Sequence, residues 1–121
     1  MQKLNPRYKV KLSDKADKDL NNIANYISDE LSSPEVAIDL VINFEKTLYK
    51  RLDTFPQSYP IHSYLESLGI EYRRTIIGNF TAFYKIDEPK NDDELGLVTI
   101  NYIVYNKRAI EKIIIPFPER I

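Results

Sequence analysis

Apolar and polar positions change period several times along the chain, and each change marks an element. In "YKVKL" Tyr8, Val10 and Leu12 alternate with Lys9 and Lys11, the period of a strand buried on one side. Beyond Ser13 the period lengthens: Ala16, Leu20, Ile23, Ile27 and Leu31 recur every three or four residues, one buried stripe of a helix. Ser13 offers the N-cap hydroxyl, and Asp14 and Asp17 suit the positive end of that helix. "SSPE" then ends it and starts another, with Ser33 as cap, Pro34 at the first helical position and Glu35 in the first turn. The second inner stripe is Ala37, Leu40, Val41, Phe44, Leu48 and Leu52, halted by "TFPQSYP". Two helices joined by so short a turn predict an antiparallel αα-hairpin.

The second half reads as sheet. "PQSYPIHSYLESLG" carries no period that marks an element and is taken as loop. In "GIEYRRTIIGNFTAFYKIDE" two short strands meet at Gly78-Asn79, a two-residue loop whose members both tolerate positive φ. Pairing Ile77 with Phe80 sets the register. One face then carries Thr75, Ile77, Phe80, Ala82, Tyr84 and Ile86 with Arg73 near its end, and the other Tyr72, Arg74, Ile76, Thr81, Phe83 and Lys85. The first face is the natural seat of the helical hairpin and the second the more open one. "GLVTINYIVY" is apolar and β-branched, the composition of a central or near-central strand. Asn106 is placed to cap a short terminal turn through Lys112, and "IIIPFP" is an apolar tail that wants covering. The predicted order is β-α-α-β-β-β, an α+β fold with a helical hairpin on a mostly antiparallel sheet.

A chain of 121 residues with 43% hydrophobic positions is expected to form a single domain over 1–121. It has no cysteine, which excludes disulfides and thiolate metal sites and fits a reducing, cytoplasmic setting. No apolar run is long enough for a signal peptide or a bilayer span, so no membrane association is expected. A net charge of −1 argues against a generic nucleic-acid binder. The average hides a division, however. Acids outnumber bases from Leu12 to Phe55 and in "EPKNDDEL", whereas Lys3, Arg7, Lys9, Lys11, Arg73, Arg74, Lys107 and Arg108 leave the remaining segments basic. Strands brought side by side would turn these into a cationic face.

Four segments in this order, "YKVKLSDKADKDLNNIANYI", "LDTFP", "YRRTIIGNFTAFYKIDE" and "YNKRAIEKI", resemble the RelE/ParE superfamily of bacterial type II toxin–antitoxin toxins. The resemblance runs from Tyr8 to about Ile113. It implies a toxin held silent by a cognate antitoxin whose flexible segment wraps the sheet and helices, and contact with operator DNA only indirectly, through that antitoxin. RelE-like members are metal-free ribonucleases that cut mRNA in the ribosomal A site, and ParE-like members poison DNA gyrase. Where RelE-like nucleases carry an arginine in the middle hairpin strand this chain has Thr81, and where they carry a tyrosine about six residues past the Lys-Arg pair it has Ile114. Lys107-Arg108 matches the pair. The long helical hairpin and near-neutral charge lean toward the ParE-like branch, so gyrase-directed growth inhibition is favoured and ribosome-dependent mRNA cleavage is the alternative.

Metal-free RNA cleavage needs a base for the 2′-OH, cations on the phosphorane and an acid for the leaving oxygen. Arg74, Lys107 and Arg108 are the residues that would hold the scissile phosphate if the chain is a nuclease, and Tyr72 or Tyr105 would stack a base or act as a weak acid. For contact with a target or antitoxin the candidates are Arg73, Arg74, Lys85, Tyr105, Lys107 and Arg108. Each also has a plain structural reading, as sheet-end cations that snorkel or pair with helix acids. His62, the only histidine, is read as a solvated loop residue rather than a general base, and Asp92-Asp93-Glu94 as a solvated hairpin tip rather than a metal site. No His/Cys cluster, glycine-rich phosphate loop or Ser-His-Asp arrangement is legible, so no cofactor or metal is expected.

Overall fold

The computed structural model describes residues 7–106. Strand β1 spans Tyr8–Leu12, helix α1 Asp14–Leu31, helix α2 Pro34–Leu52, helix α3 Ser63–Ser67, strand β2 Arg73–Ile77, strand β3 Phe80–Asp87 and strand β4 Gly96–Tyr105. The four strands form one sheet in the order β1-β4-β3-β2. β1 runs parallel to β4, and the other two pairings are antiparallel. The fold is therefore the α+β arrangement that the hydrophobic pattern predicts, with one addition, α3.

Local chemistry explains the helix ends. Ser13 Oγ accepts from Ala16 N at 3.0 Å, and Ser33 Oγ accepts from Val36 N at 3.2 Å, each satisfying one of the four amides a helix leaves orphaned. Between them Ser32 sits in the left-handed region (φ 51°) and donates its N–H to α1 carbonyls, closing the helix as a C-terminal cap does. The hairpin register is the expected one, Ile77 opposite Phe80. Only Gly78 uses positive φ (59°) there, so the turn rests on the glycine alone.

The main core lies between the helical hairpin and one sheet face. Ala16, Leu20 and Ile27 of α1 and Ala37, Phe44, Leu48 and Leu52 of α2 meet Tyr8, Phe80, Ala82, Tyr84, Val98, Ile100 and Ile103. Phe44 stacks on Phe80 with centroids 4.4 Å apart. Two stripe members depart from expectation: Leu31 is 53% exposed and Leu40 38% exposed. Leu31 is the last residue of its helix, and Leu40 lies on the rim of α2 beside a groove of about 320 Å³ that also takes in Asn43, Thr47 and Tyr105.

A shift of register between Phe83 and Tyr84 leaves Asn101 as an extra residue in β4. Such a bulge flips the alternation: Val98 and Ile100 face the core before it, and Ile103 after it. α1 fastens the irregularity, Ser13 Oγ donating to Asn101 O at 3.2 Å and Asp19 Oδ2 accepting from Ile103 N at 3.0 Å. At the other edge, the Arg51 guanidinium donates to Thr75 Oγ1 and Ile76 O, both at 2.9 Å, which closes part of the β2 edge. The proposed cap at Asn106 with its terminal turn, the "IIIPFP" tail and Lys3 involve segments outside the described residues. Among the described residues no helix is long and apolar enough to cross a membrane.

Candidate functional site

The sheet face turned away from the helical hairpin gathers cations from three strands. Lys9 and Lys11 leave β1, Arg74 leaves β2 and Lys85 leaves β3, and all four are exposed. Lys11 stands opposite Thr99, and Thr99 stands opposite Lys85, so the two lysines flank one threonine at a backbone separation of roughly 10 Å. In the next row Tyr102, Phe83 and Arg74 lie across β4, β3 and β2. The row beyond is Val104, Thr81 and Ile76, without a cation. Among the described residues the one ion pair is Lys15 with Asp19 on α1, so no carboxylate neutralises Lys9, Lys11, Arg74 or Lys85.

Aromatic rings interleave with these charges. Lys85 Nζ sits 4.9 Å from the centre of the Tyr72 ring and Lys15 Nζ 5.5 Å from that of Tyr102, both within cation–π reach. Tyr72 and Tyr102 meet edge to face at 5.6 Å. Burial and the neighbouring Tyr102 push the Tyr72 phenol up to about 12. A phenol that holds its proton so firmly makes a poor general acid near neutral pH.

A small second core occupies the middle of this face. One turn of helix, α3, lays Leu65 against Tyr72 and Phe83, with Ile70, Tyr102 and Val104 around them. The expected open face is therefore partly roofed. His62 belongs to this roof: its Nδ1 accepts from Leu65 N at 3.4 Å, and its ring lies 5.6 Å from that of Phe83. Burial and the nearby Arg74 hold its pKa below the usual histidine value. The expectation of a solvated loop histidine is thus corrected, because His62 is a half-buried helix cap. A signal was present in the sequence: Leu65 lies in a short turn that ends at Gly69, whose φ is 82°, the position where glycine closes helices, and Ile70 follows it into the same small core.

The adjacent arginines divide. Arg74 projects from the outer face, and among the described residues its side chain makes no hydrogen bond or ion pair. Arg73 turns to the helix side, where its Nη1 donates to Gln57 O at 3.1 Å and Tyr59 O at 2.7 Å. Arg73 is therefore a staple for the loop before α3 and stands apart from the outer-face cations. Tyr105 also departs from the cationic face. Its ring packs at 5.0 Å against Phe80 on the helix side and borders the α2 groove. Lys107 and Arg108 lie outside the described residues.

A polar cleft of about 350 Å³ opens where β3 outruns β2, lined by Ile61, Glu71, Arg73, Lys85, Asp87 and Glu88 among others. Its acids are partly engaged. Glu88 accepts from the Tyr8 hydroxyl at 2.6 Å and from Gln57 Nε2 at 3.0 Å, and these bonds lower its pKa. The cluster ties the start of β1 to the end of β3 and to the loop after α2. Among the described residues no group of three or more His, Asp or Glu side chains is placed to hold a metal ion.

Comparison with known families gives a match over residues 10–102 to the model described as "ParE toxin of type II toxin-antitoxin system, parDE". No curated protein matches the chain significantly. The matched span runs from within β1 into β4 and so takes in both helices, α3 and the outer-face cations Lys11, Arg74 and Lys85.

Proposed function

The chain belongs to the ParE toxin family of type II toxin–antitoxin systems, and on that premise we propose that it arrests growth by binding DNA gyrase rather than by cutting RNA. Membership implies a cognate antitoxin as partner. The docking surface is the outer sheet face with Lys9, Lys11, Arg74 and Lys85, and the antitoxin occupies that face when the toxin is silent. The carrying observation is the set of four exposed cations from three strands with no carboxylate paired to them among the described residues. An acidic protein surface or a phosphate backbone suits such a face, because the charges are exposed and, among the described residues, paired with no carboxylate.

The nuclease reading has a specific observation in its favour, Arg74 and Lys85 in the neighbourhood of Tyr72 on one face. Two others weigh against it. Thr81 stands between Ile76 and Val104, so the row in which RelE-like enzymes place an arginine is without charge here. Tyr72 holds its proton too tightly to serve as the acid. Losing one phosphate clamp and the acid costs several kcal/mol of transition-state stabilisation.

Induction of the protein followed by two readouts tests the proposal. Trapped gyrase–DNA cleavage complexes are the expected result. Codon-phased cuts in cellular mRNA, seen by primer extension without such complexes, would replace the binding reading by the enzymatic one. Lys107 and Arg108 remain candidates for the same surface, and their joint replacement by alanine is expected to weaken toxicity without altering thermal stability.

A further inference from the structure

We infer that His62 is a protonation switch for the roof over the outer face: a proton gained at Nδ1 unfastens α3 and uncovers Tyr72 and Phe83. This goes beyond the choice of target and does not depend on it.

The start of α3 is held by three hydrogen bonds at His62, and only one of them depends on the state of its ring. His62 N donates to Tyr72 O at 2.8 Å, which ties the start of the helix to the approach to β2, and His62 O accepts from Glu66 N at 2.9 Å. Its Nδ1 caps the helix by accepting from Leu65 N. An accepting Nδ1 requires the neutral imidazole with its proton on Nε2. Once protonated, Nδ1 becomes a donor pointed at a donor, and the cap is lost. The residue it loosens is Leu65, the one side chain by which α3 is buried.

Charge acts in the same direction. From β2, Arg74 faces the imidazole with a permanent positive charge. From β3 the neighbour is the uncharged Phe83, and from α3 itself the neighbours are the Tyr64 ring and the exposed Glu66. Among the described residues no carboxylate lies within ion-pair distance of His62. An imidazolium would thus meet burial and repulsion with no carboxylate to offset them, its own backbone being the one group that favours the charged ring. Burial and Arg74 both set the transition below the usual histidine range, so α3 stays fastened at neutral pH and loosens only as pH falls below that range.

Amide hydrogen exchange by NMR on the full chain, corrected for intrinsic rates, tests this beside a titration of the His62 ring resonances. Removal of a helix N-cap typically changes an opening equilibrium about fivefold. Protection at Leu65, Glu66 and Ile70 is expected to fall by about that factor as His62 titrates. His62→Asn, which restores an N-cap acceptor that cannot titrate, is expected to keep the neutral-pH protection throughout. His62→Ala is expected to show the loosened level at every pH. The inference is overturned if α3 protection stays constant while His62 titrates, if wild type and His62→Asn lose protection in parallel, or if His62 takes up no proton before the whole domain unfolds.

Discussion

The two faces of the sheet are covered by very different amounts of structure. On the inner face two long helices press Leu48, Leu52 and Phe44 onto Phe80, Ala82, Tyr84 and Val98, and charge is kept out or tied to carbonyls, as at Arg73. On the outer face one turn of helix contributes one buried leucine, and beside it stand four exposed cations that, among the described residues, pair with no carboxylate. A sheet can leave one face thinly covered when the other supplies the stability. The inner face therefore answers mainly to packing, and the outer face is the one proposed above for recognition. Substitutions on the two faces are expected to separate these roles.

The largest effect is expected at Leu48, which is 0% exposed at the centre of the main core. Leu48→Ala deletes methyl and methylene groups from a site bounded by two helices and a sheet, which cannot collapse around the void. A loss of about 2–5 kcal/mol is expected, read as a lowered midpoint in urea with unchanged m-value. A midpoint that scarcely moves would show that the inner face is not the stabilising one. Leu65→Ala sharpens the contrast. Leu65 is equally buried, at 1% exposure, yet its cover is a single turn that is able to settle or detach. The expected cost is nearer about 2 kcal/mol, the lower end for a buried leucine, with protection lost in α3 before the rest of the domain.

A smaller effect is expected at the seam between the elements, where Glu88 accepts from Tyr8 and Gln57. Its folded pKa is held below the ordinary carboxylate value of 4.5. The bonds thus contribute stability that is present above that value and is lost as pH falls through the lower folded value. Because the carboxylate is exposed, screening by water keeps this contribution small. Glu88→Gln is expected to lower stability slightly at neutral pH and to leave it unchanged at the acid end, which flattens the acid limb. An acid limb identical to that of wild type would remove Glu88 from the seam.

Most of the inner face was legible because its signals are strong and local. Ser13, Ser33 and Pro34 mark the helix ends, and the stripes through Leu20, Ile27, Phe44 and Leu48 mark their buried sides. The failures have physical causes. Leu31 and Leu40 fit the helical period but sit at a helix end and on a rim, where period does not distinguish core from border. α3 escaped notice because one turn is too short to show a period, and its cap is a histidine rather than the usual serine or aspartate. The strand period did divide Arg73 from Arg74, since neighbouring side chains in a strand point to opposite faces, but it could not show that Arg73 would bind the carbonyls of Gln57 and Tyr59. Tyr105 follows the same logic, since the bulge at Asn101 resets which residues of β4 look inward.

The smallest effect on stability is expected where the effect on function is largest. Arg74 and Lys85 are exposed, and among the described residues neither enters an ion pair. Lys85 lies over the Tyr72 ring, a surface cation–π contact of about 0.5–1 kcal/mol. Arg74→Ala together with Lys85→Ala is therefore expected to shift stability by no more than about 1 kcal/mol in either direction. If the outer face is the docking surface, the same double variant loses growth inhibition and binds the cognate antitoxin more weakly, with the difference shrinking as salt screens the lost charges. A double variant that is as toxic as wild type would put recognition elsewhere on the molecule. One that unfolds would make the outer cations structural, and the division between a packed face and a recognising face would fail on the side where it is most exposed to test.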